Sequence, residues 1–229
     1  MTNSLKADPA IPAALEGVTV AVLGGTGPQG RGLARRFAGA GIPVVLGSRD
    51  AARAAEVAAA LDGSVVRGVS NADAAVAGDL VLVAVPYEGH RELLVSLTRE
   101  LVGKVVIDCV NPLGFDSAGA FALTVPEGSA AQQAQQVLPD SRVVAAFHHV
   151  SATLLEDADV ATLDTDVLVL ADDREAGALV QALADAVPGM RGIYGGRLRN
   201  AHQVEALTAN LISINRRYKA HAGLRITDV

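Results

Sequence analysis

The chain has 229 residues, is half hydrophobic and carries a formal net charge of −6 at pH 7. This length and apolar content predict one substantial core with a small appended subdomain, and the negative charge argues against general nucleic-acid binding. The apolar runs are too short to span a membrane. A single cysteine, Cys109, excludes an intramolecular disulfide and indicates a reducing, cytoplasmic location. No Cys/His cluster has the spacing of a metal site, so no metal is expected.

Residues 1–17 lack the charged-then-apolar layout of a signal peptide and are predicted to form a flexible extension. After them, short apolar runs alternate with helical segments, as in parallel sheets that are covered on both faces. This order predicts an α/β fold, a Rossmann-type doubly wound and mainly parallel sheet over 18–189. The predicted strands cover 18–23, 42–46, 65–69, 80–85, 105–109, 143–147 and 167–170. The predicted helices cover 28–39, 51–61, 90–101, 129–138 and 175–187.

A glycine cluster lies between the first predicted strand and the first predicted helix. Its sequence is Gly24-Gly25-Thr26-Gly27-Pro28-Gln29-Gly30. Gly25, Gly27 and Gly30 fit the G-x-G-x-x-G pattern that holds a dinucleotide pyrophosphate at a helix N-terminus. In that pattern Gly25 permits a tight turn, Gly27 lets the backbone approach phosphate, and Gly30 allows close helix–strand packing. The alternative is a glycine-rich turn without a ligand.

The second predicted strand ends in Gly47-Ser48-Arg49, where NAD-binding units of this type usually carry Asp or Glu for the ribose 2′-hydroxyl. A hydroxyl and a guanidinium suit a 2′-phosphate instead, because Arg presents a fork of donors to it. Arg53, one helical turn beyond Arg49, is predicted to join this clamp. The sequence therefore favours NADP over NAD. Alternatively, Ser48 only caps the next helix and the arginines are solvated.

The end of the chain departs from the regular alternation. Residues 111–128 are rich in Gly and Pro and are predicted to be a loop beside the ligand-binding edge of the sheet. Residues 190–229 are predicted to be a small C-terminal helical segment, with seven Lys/Arg against two Asp/Glu. These basic residues predict either a solvated helix face or a docking surface for an anionic ligand or an acidic second subunit. Helical spacing relates the apolar residues Val204, Leu207, Leu211 and Ile214.

No pattern supplies an obvious proton donor, because no tyrosine starts a Tyr-x-x-x-Lys motif. His148 and His149 follow the sixth predicted strand, where α/β sheets bind ligands, and they act either on a ligand or only on the loop backbone. His90 and His202 are predicted to be surface residues. Hydride transfer between two redox cofactors requires little acid–base chemistry, since it depends on placing the two rings together and excluding water.

Five motifs in order over nearly the whole chain after residue 17 resemble the F420-dependent NADP oxidoreductases. They are Val20-Ala21-Val22-Leu23-Gly24-Gly25-Thr26-Gly27, Gly47-Ser48-Arg49, Val85-Pro86-Tyr87-Glu88, Val143-Val144-Ala145-Ala146-Phe147-His148 and Glu205-Ala206-Leu207-Thr208. The resemblance implies reversible hydride transfer between NADP(H) and the 5-deazaflavin coenzyme F420. It also implies a single α/β domain with a small C-terminal extension.

The resemblance implies a role for individual residues as well. Thr26, Gly27, Pro28 and Gln29 would line the pyrophosphate, and Ser48, Arg49 and Arg53 would hold the 2′-phosphate. Pro86, Tyr87 and Asn111 would approach the ring pocket, and His148, Val150 and Ala152 would border the stacked rings. His148 is the candidate catalytic residue, expected to orient or polarise the deazaflavin, and Leu224 would close the site. Tyr87 stands where the family pattern has tryptophan.

Two other functions stay open on this evidence. One is an NADPH-dependent reductase of another acceptor, such as a ferric chelate, an imine or a quinone. The other is a non-catalytic NADP(H) sensor. In each case the expected partners are small molecules, with neither nucleic acid nor membrane. A homodimer is also predicted, with residues 190–229 forming the dimer contact and completing the deazaflavin site.

Overall fold

The computed structural model describes residues 11–62 and 65–229 and contains a central eight-stranded sheet. The strand order is β10-β9-β8-β5-β4-β1-β2-β3. Neighbours pair in parallel except β8 and β9, which are antiparallel. The strands are β1 (Val20–Leu23), β2 (Val44–Ser48), β3 (Val66–Ser70), β4 (Leu80–Val83), β5 (Val105–Asp108), β8 (Arg142–Ala145), β9 (Thr165–Ala171) and β10 (Met190–Gly196). A separate hairpin consists of β6 (Leu113–Asp116) and β7 (Gly119–Ala122).

Helices cover both faces of the sheet, which explains why every residue of β1, β4 and β5 is buried. The chain runs outward from β1 to β3 and then returns to β4 beside β1. Strand order therefore reverses between β1 and β4, where doubly wound sheets bind ligands. The helices are α1 (Pro28–Gly39), α2 (Ala51–Asp62), α3 (Asn71–Ala77), α4 (Tyr87–Ser96), α5 (Ala130–Val137), α6 (Ala152–Glu156), α7 (Arg174–Asp185) and α8 (Ala201–Tyr218).

Short polar side chains fix where several of these helices begin. Ser129 accepts a hydrogen bond from the backbone N–H of Gln132 at the start of α5, and Ser151 accepts one at the start of α6. Asp173 accepts one at the start of α7. These bonds satisfy backbone donors that a helix leaves free in its first turn.

The predicted mainly parallel, doubly wound fold is confirmed, and the differences lie in short elements. The seven-residue α3 and the five-residue α6 were not predicted, because such short segments show little periodicity. The segment 111–128, predicted to be a loop, contains the β6–β7 hairpin. Helix α4 begins at Tyr87, three residues before the predicted start.

The predicted boundary between residues 189 and 190 falls at the start of a sheet strand. Met190–Gly196 forms β10 and pairs with β9, so the helical C-terminal segment begins only at residue 198. Its three glycines concealed this strand, because glycine contributes no side chain to an apolar pattern.

The first ten residues of the predicted N-terminal extension lie outside the described residues. The rest of that extension packs on the domain, because Leu15 is buried in the core and a short 3₁₀ helix, Ala13–Leu15, lies against α7. Among residues 11–62 and 65–229, no helix has the length and apolar character to cross a membrane.

Candidate functional site

The glycine loop between β1 and α1 makes its tight turn at Gly24. The backbone of Gly24 has φ +73°, and a Cβ there would lie 2.6 Å from Val85 Cγ1. The turn was predicted at Gly25, which instead allows a close approach: a Cβ on Gly25 would lie 2.5 Å from Leu46 Cδ2. Only glycine meets both requirements without strain, since Gly24 occupies the left-handed region and Gly25 touches β2.

The other two glycines of the motif occupy the positions that a dinucleotide loop needs. A Cβ on Gly30 would lie 3.0 Å from the carbonyl oxygen of Gly24, so this glycine lets α1 approach the loop. A Cβ on Gly27 would meet nothing closer than 3.5 Å. The open side at Gly27, followed by Pro28 at the first helical position of α1, leaves the free N–H groups of that helix accessible to an anion.

Ser48 and Arg49, at the carboxyl end of β2, share a cavity of about 390 Å³ with the glycine loop. Ser48 is buried, whereas Arg49 is exposed at the rim. The Ser48 hydroxyl also accepts the N–H of Asp50 at 3.2 Å. Ser48 does not cap α2 as the alternative expected, because Asp50 does so: its Oδ1 accepts the Arg53 N–H at 3.1 Å. The cavity is lined by Gly24, Thr26, Ser48, Arg49, Asn71, Val85, Gly89, Glu92, Leu93 and Ser96.

Arg53 does not join Ser48 and Arg49 in this cavity. Its guanidinium lies 3.2 Å from Glu56, one turn further along α2. It lines a different cavity, together with Arg31 and Arg35 of α1. Of the three residues predicted to hold a 2′-phosphate, the structure therefore brings Ser48 and Arg49 together and leaves Arg53 apart, because the Arg53 side chain lies along its own helix.

The loop that carries His148 is held in an uncommon backbone conformation. Phe147 has φ 64° and a fully buried ring that packs edge-on against Phe37, with centroids 5.8 Å apart. The side-chain amide of Gln29 donates to the Phe147 carbonyl oxygen at 3.1 Å, which joins the glycine loop to the His148 loop. A bulky residue in the left-handed region is an outlier that marks functional sites.

Two further donors fix the backbone of His148. Asn111 Nδ2 donates to the His148 carbonyl oxygen at 2.8 Å, and Thr208 Oγ1 donates to the same oxygen at 3.2 Å. These contacts bring together the β5 loop, the β8 loop and α8. Asn111 and His148, both predicted to be site residues, are therefore neighbours, and Thr208 from the last helix belongs with them.

The imidazole of His148 is buried, and neither of its ring nitrogens has a hydrogen-bond partner among the described residues. Burial lowers the pKa of His148 to about 4, so the ring is neutral at physiological pH. His149 differs, since its Nε2 donates to the Asp166 carbonyl oxygen at 2.7 Å. His149 thus holds the loop backbone through Nε2, whereas its Nδ1 and both ring nitrogens of His148 are buried without a partner among the described residues.

Tyr87 begins α4, directly after Pro86 at the helix cap, and its ring lies 6.3 Å from that of His90. His90 was predicted to be a surface residue and is instead fully buried. Its Nε2 lies 2.6 Å from Oδ2 of Asp108, the buried last residue of β5. The sequence signal for this pair was Asp108 itself, a carboxylate that ends an otherwise apolar strand.

The C-terminal tail reaches the same edge of the sheet through backbone pairing. The N–H of Asp166 donates to the Leu224 carbonyl oxygen at 2.8 Å. Because β9 is antiparallel to β8, its first residues lie beside the His148 loop. Leu224, which is expected to close the site, thus lies close to that loop. Val150 is buried in the loop, whereas Ala152 begins α6.

Two basic residues of the segment 190–229 form ion pairs within the chain. Arg191 Nε and Arg225 Nη1 each lie 2.7 Å from Oδ1 of Asp166, which is fully buried. Hydrogen bonds from Arg191 keep the pKa of Asp166 below its usual value. Neither sequence alternative, a solvated face or a docking surface, describes these two arginines, which fasten the tail to β9 instead.

Asn71 was also missed by the sequence analysis. It begins α3, lines the cavity beside Ser48, and accepts the Gly24 N–H through Oδ1 at 3.3 Å. A lone asparagine after a strand gives little sequence signal for such a contact. In the part of the chain that the structure describes, no group of three or more His, Cys, Asp or Glu side chains could hold a metal ion.

Comparison with known proteins gives the same family along most of the chain. The family model described as NADP oxidoreductase coenzyme F420-dependent matches residues 19–112, which include the glycine loop, Ser48 and Arg49. An F420-dependent NADP reductase from Methanothermobacter thermautotrophicus is 39% identical over 221 residues, covering 92% of this chain and 95% of that protein. The enzyme of the same name from Methanocaldococcus jannaschii is 37% identical, covering 92% and 98%.

A solved structure agrees with the sequence comparisons. The crystal structure of a candidate F420-dependent NADP reductase from Arthrobacter sp. FB24 has a TM-score of 0.80 and 26% identity to this chain. It covers 92% of this chain and 99% of that one. Because fold, glycine loop and near full-length sequence similarity coincide, this chain belongs to the family of F420-dependent NADP reductases.

Proposed function

We propose that this protein catalyses reversible hydride transfer between NADP(H) and the deazaflavin coenzyme F420. The observation that carries the proposal is the cavity that contains the glycine loop together with Ser48 and Arg49, in a chain similar over 92% of its length to F420-dependent NADP reductases. Arg49 supplies a fork of donors for a 2′-phosphate, which NADP has and NAD lacks. The glycine loop and the start of α1 suit the pyrophosphate.

The deazaflavin ring of the second cofactor is proposed to bind beside the His148 loop. His148 offers ring nitrogens without partners among the described residues, and Val150 next to it is buried. Pro86, Tyr87 and Asn111 are the remaining candidates for this pocket, on the loops that follow β4 and β5. When both cofactors are bound, they supply the hydride donor and the hydride acceptor: NADPH, F420 and one proton give NADP⁺ and reduced F420.

In this proposal the protein contributes binding and orientation. Asn111 and Thr208 hold the His148 carbonyl oxygen, so the His148 ring has a fixed position from which to orient the deazaflavin. A neutral His148 can donate one hydrogen bond without introducing a charge into the pocket. The burial of Phe147 and Val150 keeps water from this side of the site.

We also propose that the protein forms a homodimer in the cytoplasm. The predicted apolar stripe of α8 is partly covered within the chain, since Val204 and Leu211 are buried. Several exposed apolar side chains lie on or next to the hairpin and at the end of α8. They include Phe115, Phe121, Leu123, Ile214 and Tyr218.

Charge in the same region favours a two-fold contact. A groove of about 690 Å³ between the hairpin and α8 is lined by Asp116 as well as by Arg216, Arg217 and Lys219. A surface that carries both signs can meet a second copy of itself in an isologous interface. We refer to Phe115, Phe121, Ile214 and Tyr218 as the hairpin surface.

An acceptor assay tests the proposed activity. Purified protein mixed with NADPH and oxidised F420 is expected to bleach the visible absorbance of the deazaflavin. Ferric chelates, imines and quinones, offered separately, are expected to be reduced far more slowly. Faster turnover of one of those acceptors would establish the first alternative instead. Tight NADPH binding without turnover of any acceptor would establish the sensor.

A further inference from the structure

A buried polar cluster lies beneath Tyr87 and is not used by the proposed chemistry. It consists of His90 on α4, Asp108 at the end of β5, Gln133 on α5 and Glu205 on α8, each at most 6% exposed. Four elements that surround the ring side of the site thus each contribute one side chain. Buried polar clusters are retained at a cost in stability, so this one calls for an explanation.

The hydrogen bonds of the cluster define the charge of His90. His90 Nε2 lies 2.6 Å from Asp108 Oδ2, and His90 Nδ1 lies 3.2 Å from Gln133 Oε1. The Gln133 side-chain amide has a defined orientation, because its Nε2 donates to Glu127 Oε2 at 3.1 Å. Exchanging its oxygen and nitrogen would lose that hydrogen bond. Both ring nitrogens therefore face acceptors. An imidazole that donates from both nitrogens is an imidazolium.

The other charged groups around His90 agree with this assignment. Burial alone would lower the pKa of His90, but the Asp108 carboxylate, the two hydrogen bonds and the more distant Glu205 raise it above its ordinary value. Glu205 itself is bound by the backbone N–H groups of Ala130 and Ala131, and its burial raises its pKa to about 7. Carboxylates therefore approach His90 from β5 (Asp108) and from α8 (Glu205), and α5 contributes the neutral amide of Gln133. Among the described residues, no positively charged side chain acts on the pKa of His90.

We propose that His90 is a positioning residue for the deazaflavin side of the site, and that it acts as a buried imidazolium held between Asp108 and Gln133. The positioning role rests on the proposed function, whereas the charge of His90 does not. His90 touches neither cofactor in this proposal. It acts by fixing the position of the residues that do.

The path from His90 to the ring side is a short series of hydrogen bonds. Oδ2 of Asp108 accepts a hydrogen bond from His90 Nε2, and Oδ1 accepts one from the N–H of Val110 at 3.0 Å. That second bond shapes the turn that presents Asn111, and Asn111 holds the His148 carbonyl oxygen. On the other side, His90 lies one turn after Tyr87 and stacks with its ring. His90 thus connects the two loops expected to border the deazaflavin.

The test is the variant His90→Gln, in which an amide can still donate to Asp108 but carries no charge. We expect its KM for F420 to rise about tenfold, with kcat and NADPH affinity within about threefold of the wild type. The α4 residues that line the nucleotide cavity (Gly89, Glu92, Leu93 and Ser96) follow helical spacing along a different face of the helix from buried His90. The matched control is His202→Gln, on an exposed histidine, which is expected to leave both KM values unchanged.

A second variant covers the case in which the lone Asp108 charge prevents folding. The double substitution His90→Gln with Asp108→Asn removes both charges, and it is expected to fold and to keep the raised KM for F420. Equal losses of NADPH and F420 binding in these variants would indicate a merely structural role and overturn the proposal. So would a normal KM for F420.

The charge of His90 has an independent readout. Nitrogen NMR of the wild-type imidazoles is expected to show protons on both ring nitrogens of His90 at neutral pH, with a signal that His90→Gln abolishes. A neutral His90 overturns the inference whether or not the protein reduces F420. A wild type that fails to reduce F420 would contradict both the proposed function and the positioning role. An active wild type, with a normal KM for F420 in His90→Gln, would contradict only the positioning role.

Discussion

Arg49 and His148 occupy opposite electrostatic environments in the two halves of the site. Arg49 is exposed at the rim of the nucleotide cavity, where it stays charged and can meet a phosphate. His148 is buried among apolar residues, where its neutral form is favoured. The first residue can select a cofactor by charge, and the second can act only by shape and by hydrogen bonding.

Replacing Arg49 by glutamate tests cofactor selection. Loss of one charge-assisted phosphate contact is expected to raise the KM for NADPH by about ten- to a hundredfold, with little change in the KM for NADH. Steady-state kinetics with both nucleotides measures this. Arg53→Glu serves as the control and is expected to have a smaller effect, since Arg53 pairs with Glu56 and lines another cavity. Equal use of NADH and NADPH by the wild type would contradict the assignment.

The buried state of His148 predicts how acid affects stability. An unfolded histidine titrates near pH 6.5, whereas folded His148 titrates near 4, so between these values only the unfolded chain takes up the proton. Relative to His148→Gln, the wild type is expected to lose about 3 kcal/mol of unfolding free energy as the pH falls through this window. Denaturant titrations of both proteins measure the difference. A constant difference from pH 7 to pH 4 would show that His148 is accessible to water.

His148→Ala tests the role of the same ring in turnover. It is expected to weaken F420 binding and to lower the rate while leaving measurable activity, because the hydride passes directly between the two cofactors. Single-turnover kinetics with both cofactors bound would separate these effects. Complete inactivity with normal binding would assign essential acid–base chemistry to His148.

Individual residues also show which features of the site could not be predicted from the sequence. The pattern of Gly25, Gly27 and Gly30 was sufficient to place the dinucleotide loop, because each spacing has one geometric purpose. It did not identify Gly24 as the turn, since a backbone angle leaves no trace in residue identity. His90 was misplaced for a related reason: its partner Asp108 lies on another element, and only the folded chain brings them together.

At the level of elements, the long apolar strands and α1 could be predicted because their burial on both faces imposes a clear pattern. Strand β10 and the hairpin could not, since glycine interrupts the first and half of the second is exposed. The direction of β9 was equally hidden. Its reversal depends on a connection that stays at one edge of the sheet, and it brings the tail to the His148 loop.

The tail is expected to depend on its ion pairs with Asp166. Arg225→Ala removes one of the two guanidinium groups on that buried carboxylate and is expected to increase hydrogen exchange at the Leu224 and Ile226 amides. Arg216→Ala, on an exposed residue of α8, is the control and is expected to leave this exchange unchanged. Unaltered protection in Arg225→Ala would mean that the other hydrogen bonds of the tail are sufficient, namely those of Leu224 with Thr165 Oγ1 and the Asp166 N–H and that of the Ile226 N–H with Asp166 Oδ2.

At the level of the whole molecule, the homodimer is tested through the hairpin surface. Light scattering at micromolar concentration is expected to give about twice the chain mass of 23.4 kDa. Phe115→Asp is expected to shift this toward the monomer, because Phe115 is 70% exposed in the single chain. Val76→Asp, at a similarly exposed valine on α3, is the matched control. A monomeric wild type would refute the dimer.

The left-handed conformation of Phe147 has a consequence for engineering. Asparagine and glycine tolerate this region of backbone space better than phenylalanine does, and procedures that optimise stability would favour them at this position. Either replacement would relieve a local cost of about 1–2 kcal/mol and at the same time remove the ring that anchors the loop on Phe37. Versions of this enzyme that gain stability and keep their activity are therefore expected to retain Phe147, because its ring holds the loop that carries His148.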